Sequence, residues 1–312
     1  MAWYSGEEYR REGQAKRGIK AYLVCSAIVD ISATPTDKKI VADVKRAILK
    51  NVGGEEGFKR DFPKLLRRAF DEVIDTPRTG RLTFDQTEKT EKTYMGTKIE
   101  IFFRAFIGYP KGLLDLNVDG MDVDIKNTVG SNWMIPQEAF NKPCILIAAN
   151  EKTARCKLGI LVARPKYLSK GSNRDQKKSI TSNSFKHIDW ILFDCPYPQN
   201  IWETVAAAKV KRIFSARGGT QRLVQLFKEM EGIPISRTVI EGIAQQKDYM
   251  KRLRKNGGAR DELAQSNIAV LSGVYDKALI RALGIPVCSG EEFISFKAES
   301  AEHKKLLRNH LT

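Results

Sequence analysis

The chain has 312 residues, 42% of them hydrophobic and 29% charged, enough for two domains that each bury a core. No apolar run approaches the length needed to span a bilayer, and the opening stretch MAWYSGEEYRREGQAKR has no apolar signal core, so membrane and secretory classes are set aside and a cytoplasmic protein is expected. Lysine and arginine number 53 against 37 acidic residues, a net charge of +16 that falls mainly after residue 160 and favours a polyanionic partner.

Five cysteines (Cys25, Cys144, Cys156, Cys195, Cys288) are dispersed without a CxxC pair, which fits small core residues in a reducing compartment better than disulfides or a zinc site. His187, His303 and His310 form no ligand cluster.

In chain order, KKIVADVKRAILKNV spaces Ile40, Val41, Val44, Ala47 and Ile48 on one helical face. NVGG stops that helix, and FPKLLRRAFDEVI predicts another with Pro63 in its first turn. DTPRTGRLTFD reads as a turn-rich connection. A helix is expected from about Thr93 through YMGTKIEIFFRAF, ended by GYPKG. Short strands follow in LDLNVDGMDVDIKN, then the buried strands PCILIAAN and LGILVARP, an α/β or α+β pattern. The polar stretch over 169–184 is the expected linker, dividing a first domain, 1–168, from a second, 185–312. Beyond it, TQRLVQLFKEMEG, SRTVIEGIA with Ser236 as N-cap, and QQKDYMKRLRKNGG predict three helices.

The segment at 114–127 carries the chemistry. With Asp119-Gly120 as a two-residue hairpin loop, 118 pairs with 121, 117 with 122, 116 with 123 and 115 with 124. Leu116, Val118, Val123 and Ile125 then share a core face. Asp115 and Asn117 oppose Asp124 and Asp122 on the other, with Lys126 next along the strand. Opposed like charges are destabilising, and a divalent cation between hard oxygen ligands would relieve them. Otherwise the face is an ordinary wet one. Glu100 is an isolated acid in the apolar run KIEIFFRAF, either a ligand or a helix-edge carboxylate bonded to Lys98 or Arg104. A glutamate, an aspartate and a D-x-K form the residue set of a metal-dependent phosphodiesterase.

These residues match the PD-(D/E)xK nuclease motif, and the surrounding text resembles the NaeI family of type II restriction endonucleases. The similar segments are RTGRLTFDQTEKTEKTYMGTKIEI, MDVDIK, NWMIP, NRDQKK, IFSARGG and AQQKDYMKRLRKNGGAR, in one order across about 68–293. The resemblance implies a restriction-endonuclease-like mixed sheet flanked by helices, then a mostly helical, topoisomerase-like domain with a winged or catabolite-activator-type helix-turn-helix. It implies Mg²⁺-dependent double-strand cleavage at a short palindrome, a homodimer, and a second DNA copy at the C-terminal domain acting as effector. Carried over, Glu100, Asp115 and Asp124 ligand the metal and Lys126 is the catalytic lysine. A modification-dependent or repair nuclease of the same fold, or a non-catalytic helix-turn-helix regulator, are the alternatives.

The second half fits a DNA partner independently. Two helices meet near Gln245 and Gln246. On the second, Tyr249, Met250 and Leu253 are expected inside, with Lys247, Lys251, Arg254 and Lys255 outside as contacts to bases and phosphates. SARGGTQR and NGGAR place Arg217 and Arg260 beside glycines at helix starts, where backbone amides either bind phosphate or form plain caps.

Overall fold

The computed structural model describes residues 35–246, 248–286 and 290–311. Lys247, Cys25 and Cys288 lie outside the described residues. The described chain gathers into two compact units, one of residues 35–70 with 88–200, the other of 71–87 with 201–311. No helix among the described residues is long and apolar enough to cross a membrane.

The first unit opens with α1 (Pro35–Lys50) and α2 (Gly54–Ile74). Here the sequence expectation needs correcting: α2 begins nine residues before Pro63, with Glu55 and Glu56 in its first turn and the proline inside it. Acids near a helix start stabilise it, and Phe58, Phe62 and Leu66, all fully buried, keep one apolar stripe running across the proline. Helix α4 (Lys89–Ile107) begins four residues before the expected Thr93, behind the short α3 (Thr76–Thr79). Glu88 and Glu91 form a capping box at its start, and Gly108 closes its end in the left-handed region. Phe103 of α4 meets Phe58 and Phe62 edge-on, at 6.4 and 5.9 Å between ring centres.

The sheet contains β1 (Leu116–Val118), β2 (Met121–Thr128), β4 (Pro143–Asn150), β5 (Arg155–Val162) and β7 (Asp189–Pro196), hydrogen-bonded in that order. It is mixed: β2 and β4 run parallel, and the other neighbours antiparallel. A two-stranded piece, β3 (Met134–Ile135) with β6 (Lys178–Ser179), lies over a second cluster that includes Trp133, Cys144, Leu146 and Trp190. Residues 169–184, expected as a linker, therefore belong to this unit. Ser169 donates to Ser179 O at 2.8 Å, Leu168 bridges Ile180, and the boundary falls at 200/201. Polar composition made the stretch read as a connection, but its backbone groups are satisfied locally.

The second unit contains α5 (Ile201–Thr204), α6 (Ala207–Ser215), α7 (Gly219–Glu229), β8 (Ile235–Ser236), α8 (Arg237–Ala244), α9 (Tyr249–Leu253), α10 (Ala259–Gln265) and β9 (Ile268–Ser272). It continues with α11 (Lys277–Ala282), β10 (Glu292–Lys297), α12 (Ala301–Leu306) and α13 (Arg308–Leu311). The strands form an antiparallel sheet in the order β8-β10-β9. Leu223, Leu226, Phe227 and Met230 enter its core as their spacing predicts, and Leu82, from the 71–87 segment, packs on the same cluster. Ser236 caps α8 by accepting from Val239 N.

Inside the first unit, Arg67 and Glu151 form an ion pair at 2.7 Å with side chains only 11% and 8% exposed. Tyr197 donates its hydroxyl to the other Glu151 oxygen at 2.7 Å, and burial followed by the Glu151 charge pushes that phenol's pKa up. Removing one partner of a buried pair strands the other. We therefore expect Glu151→Ala to destabilise this unit by about 3 kcal/mol in urea unfolding. A loss under about 1 kcal/mol would show that the pair behaves like an exposed one.

Candidate active site

The hairpin register matches the one expected, with Leu116 opposite Val123, Asn117 opposite Asp122 and Val118 opposite Met121. Asp119 and Gly120 have φ of 48° and 87°, the two positive values a tight type I′ turn requires. Asn117 Oδ1 accepts from Gly120 N at 2.9 Å, closing the turn.

The pairing of 115 with 124 takes a different form. Asp115 lies just before β1, and its side chain takes the place of a strand partner: Oδ2 accepts from Ile125 N at 2.8 Å. This fixes the carboxylate against β2. Two residues on, Lys126 Nζ donates to Asp124 Oδ1 at 2.7 Å and lies 3.6 Å from Asp115 Oδ2. Asp115, Asp124 and Lys126 thus converge.

The face holding them is not the wet one considered above. Asp124 is 3% exposed. The parallel register puts it beside Cys144, and Lys126 beside Leu146, and both neighbours belong to the Trp133 cluster. Burial pushes the Asp124 carboxyl up to about 6, with the Lys126 ammonium opposing and Asp115 adding to the rise. For Lys126, burial pulls the ammonium down, but Asp124 and then Asp115 outweigh it and the net shift is upward. Burial, then Asp124, raises the Cys144 thiol well above its usual range, which keeps it neutral.

Glu100 stands apart from this trio. Its carboxylate pairs with Arg104 one turn along α4, as one of the two readings held. The same guanidinium nitrogen donates to Asp115 O at 3.3 Å, so Arg104 joins the helix acid to the hairpin. Among the described residues, no three or more His, Cys, Asp or Glu side chains gather closely enough to hold a metal ion. What does suit a cation is Asp124 Oδ2, a buried carboxylate oxygen with no hydrogen-bond partner, next to the Asp115 carboxylate. Hard oxygen ligands of this kind fit Mg²⁺. Sequence reading missed Arg104 as the joint, and its i, i+4 spacing from Glu100 was the available signal. Asp122, expected on the same face but outside the motif, has its Oδ1 accept from Leu113 N at 2.9 Å.

In the second unit, α8 ends at Gln245, which is exposed and in the left-handed region, and α9 begins after Asp248. Tyr249, Met250 and Leu253 pack on the core. Arg217, Lys251 and Arg254 are exposed, although Lys251 is paired to Asp248 at 2.9 Å. Gln246 accepts from Arg252. Lys255 donates to Asn309 O. Arg260 is half-buried, and that burial outweighs the nearby Asp276 and lowers its pKa. The NGGAR amides are also in use: Asp261 accepts from Gly257 N at 2.6 Å and Asn256 N at 3.2 Å, which makes the turn a cap. In SARGGTQR, Arg222 donates to Ile243 O and Ala244 O at 2.7 and 3.1 Å, closing the end of α8.

The raised Asp124 carboxyl has a consequence for stability. Its folded pKa of about 6 exceeds the ordinary 3.8, so the folded state binds this proton more tightly. The penalty is absent below pH ~4, grows as pH rises through this interval, and is complete above pH ~6. We expect Asp124→Asn, without divalent ions, to raise the melting temperature at pH 8 by several degrees, with the gain vanishing near pH 4. An unchanged or lowered melting temperature at pH 8 would show that Asp124 is not strained when charged.

Residues 54–306 match the family model described as Restriction endonuclease NaeI. A relative from Lentzea aerocolonigenes, Type II restriction enzyme NaeI, is 33% identical over 233 residues, covering 72% of this chain and 73% of its own. The match spans both units, from α2 through α12, and includes the hairpin with Asp115, Asp124 and Lys126. The chain belongs to the NaeI family of restriction endonucleases and is a site-specific deoxyribonuclease.

Proposed function

We propose that the chain hydrolyses both strands of DNA at a short palindromic site, with Asp115, Asp124 and Lys126 at the reacting phosphate. The observation that carries this reading is the partnerless, buried Asp124 oxygen beside Asp115 and Lys126. Asp124 and Asp115 would hold Mg²⁺, with Glu100 completing its surroundings once freed from Arg104. When bound, the cation supplies charge neutralisation at the phosphate and lowers the pKa of bound water. Lys126, kept charged by both aspartates, orients the attacking water and stabilises negative charge on the phosphate. Arg104 holds α4 and the hairpin in register through Glu100 and Asp115 O.

The second unit is proposed as a further DNA-binding module and the effector site. Its order of helix α7, strand β8, helices α8, α9 and α10, strand β9, helix α11 and strand β10, with the strands paired β8-β10-β9, is read as an elaborated winged helix with α8 and α9 as helix-turn-helix. Gln245, Arg217, Lys251 and Arg254 are its exposed contacts, with Gln246 and Lys255 at the edge. We propose a homodimer acting in the cytoplasm, since a palindrome matches two-fold symmetry.

The test is digestion of a plasmid library with and without Mg²⁺, followed by sequencing of the ends. Discrete Mg²⁺-dependent double-strand ends at one palindrome are expected, and metal-independent cutting or none at all would sink the reading. Lys126→Ala should lower cleavage at least about a hundredfold while retaining specific binding in a gel-shift assay. Loss of binding as well would remove Lys126 from this role. Lys251→Ala and Arg254→Ala should each flatten the salt dependence of DNA binding by about one unit of slope. An unchanged slope would place DNA elsewhere on the unit.

A further inference from the structure

Leu113 is 94% exposed, more than any other large apolar side chain described. Single exposed apolar residues are ordinary on protein surfaces. The backbone that carries this one is not ordinary, because it is pinned on both sides. Asn117 N donates to Pro110 O at 3.0 Å, and Leu113 N to Asp122 Oδ1 at 2.9 Å. Between them Gly112 has no room for a side chain: a Cβ there would lie 2.6 Å from Asp122 Oδ1 and 2.8 Å from Leu116 O. The loop is thus built so tightly that only glycine fits, and an acid on the site face is spent on fixing it. A constrained loop that holds a leucine out in water forgoes the burial that apolar side chain would otherwise gain.

Its location gives that exposure a meaning. Leu113 precedes Asp115 by two residues, and its anchor Asp122 precedes Asp124 by two. Asp122 and Asp124 are same-face positions of β2, about 7 Å apart, and Leu113 N lies 2.9 Å from Asp122 Oδ1; duplex DNA rises 3.4 Å per base pair, so the loop stands about two base steps from the proposed scissile phosphate. Lys111, also exposed, lies two residues before Leu113 on the same loop and brings a cation to it. A phosphate contact beside an apolar tip is the pairing with which proteins enter and unstack a base step.

We propose that Leu113 inserts as an apolar wedge into the base stack next to the cut, so that the deformability of that step contributes to site choice. Asp122 is the positioning residue that keeps the wedge rigid. This inference rests on the assignment of Asp115, Asp124 and Lys126 as the cleavage site.

The experiment uses the full chain and the duplex that wild-type protein is found to cut, with 2-aminopurine placed at each base within two steps of the break. Ca²⁺ replaces Mg²⁺ to hold the complex uncut. Wild type should raise the fluorescence several-fold at one step, Leu113→Met should retain that rise, and Leu113→Ser should abolish it and slow cleavage in Mg²⁺. The melting temperature of Leu113→Ser should equal wild type, because the side chain supports nothing in the fold. No rise with wild type at any step, or an equal rise with Leu113→Ser, overturns the wedge and leaves the cleavage site standing. Wild-type protein that cuts no DNA overturns the cleavage site, and the wedge with it.

Discussion

The central constraint is the burial of the Asp124 carboxylate. Cys144 and the cluster behind it remove Asp124 from water, and a charge there is costly unless something meets it. Lys126 meets half of the demand through Oδ1 and leaves Oδ2 open. Almost everything nearby follows from that imbalance. Asp115 is locked by the Ile125 amide so that it cannot swing away from its like-charged neighbour, and Arg104 ties the next acid to the same place. A fold optimised only for stability would have put an apolar residue at 124. Its absence leaves a charge whose burial the fold tolerates at a cost in stability.

Legibility from sequence followed the range of the forces involved. The hairpin register could be read because period-two alternation and the Asp-Gly turn are local, and they determine which face each side chain takes. The start of α2 was misplaced because Pro63 was taken as a first-turn residue, whereas the stripe of Phe58, Phe62 and Leu66 continues through it. The 169–184 stretch looked like a connection because composition reports exposure, and its exposed polar side chains are real. What composition does not report is that Leu168 and Ile180 anchor both ends in the sheet unit.

The site shows the same division. Asp124 and Lys126 were legible as neighbours because strand alternation puts them on one face, whereas Asp115 joins them from just before β1 through its side-chain bond to Ile125 N. The withdrawal of Glu100 onto Arg104, and the depth of Asp124, depend on tertiary packing. In the second unit the inward set Tyr249, Met250 and Leu253 was legible from its apolar spacing, while the partial burial of Arg260 was not. It sits on α10, which packs against the C-terminal α13, and nothing local to 256–260 announces that partner. Charge counts overstate the useful surface in such cases, since Lys251 is matched by Asp248 and Lys255 by a backbone carbonyl.

The chain's route between its units carries a further consequence. Residues 71–87 fold with 201–311, and Leu82 packs into the same core as Leu223 and Phe227, while Gly242 of α8 faces Thr76. The second unit is therefore assembled from two separated stretches of the gene. A fragment made by starting translation at 201 would expose the apolar bed of Leu82 and the face of α8 that Thr76 covers, inviting aggregation. Dissecting the two units calls for a circular permutant or a grafted segment, not a simple truncation.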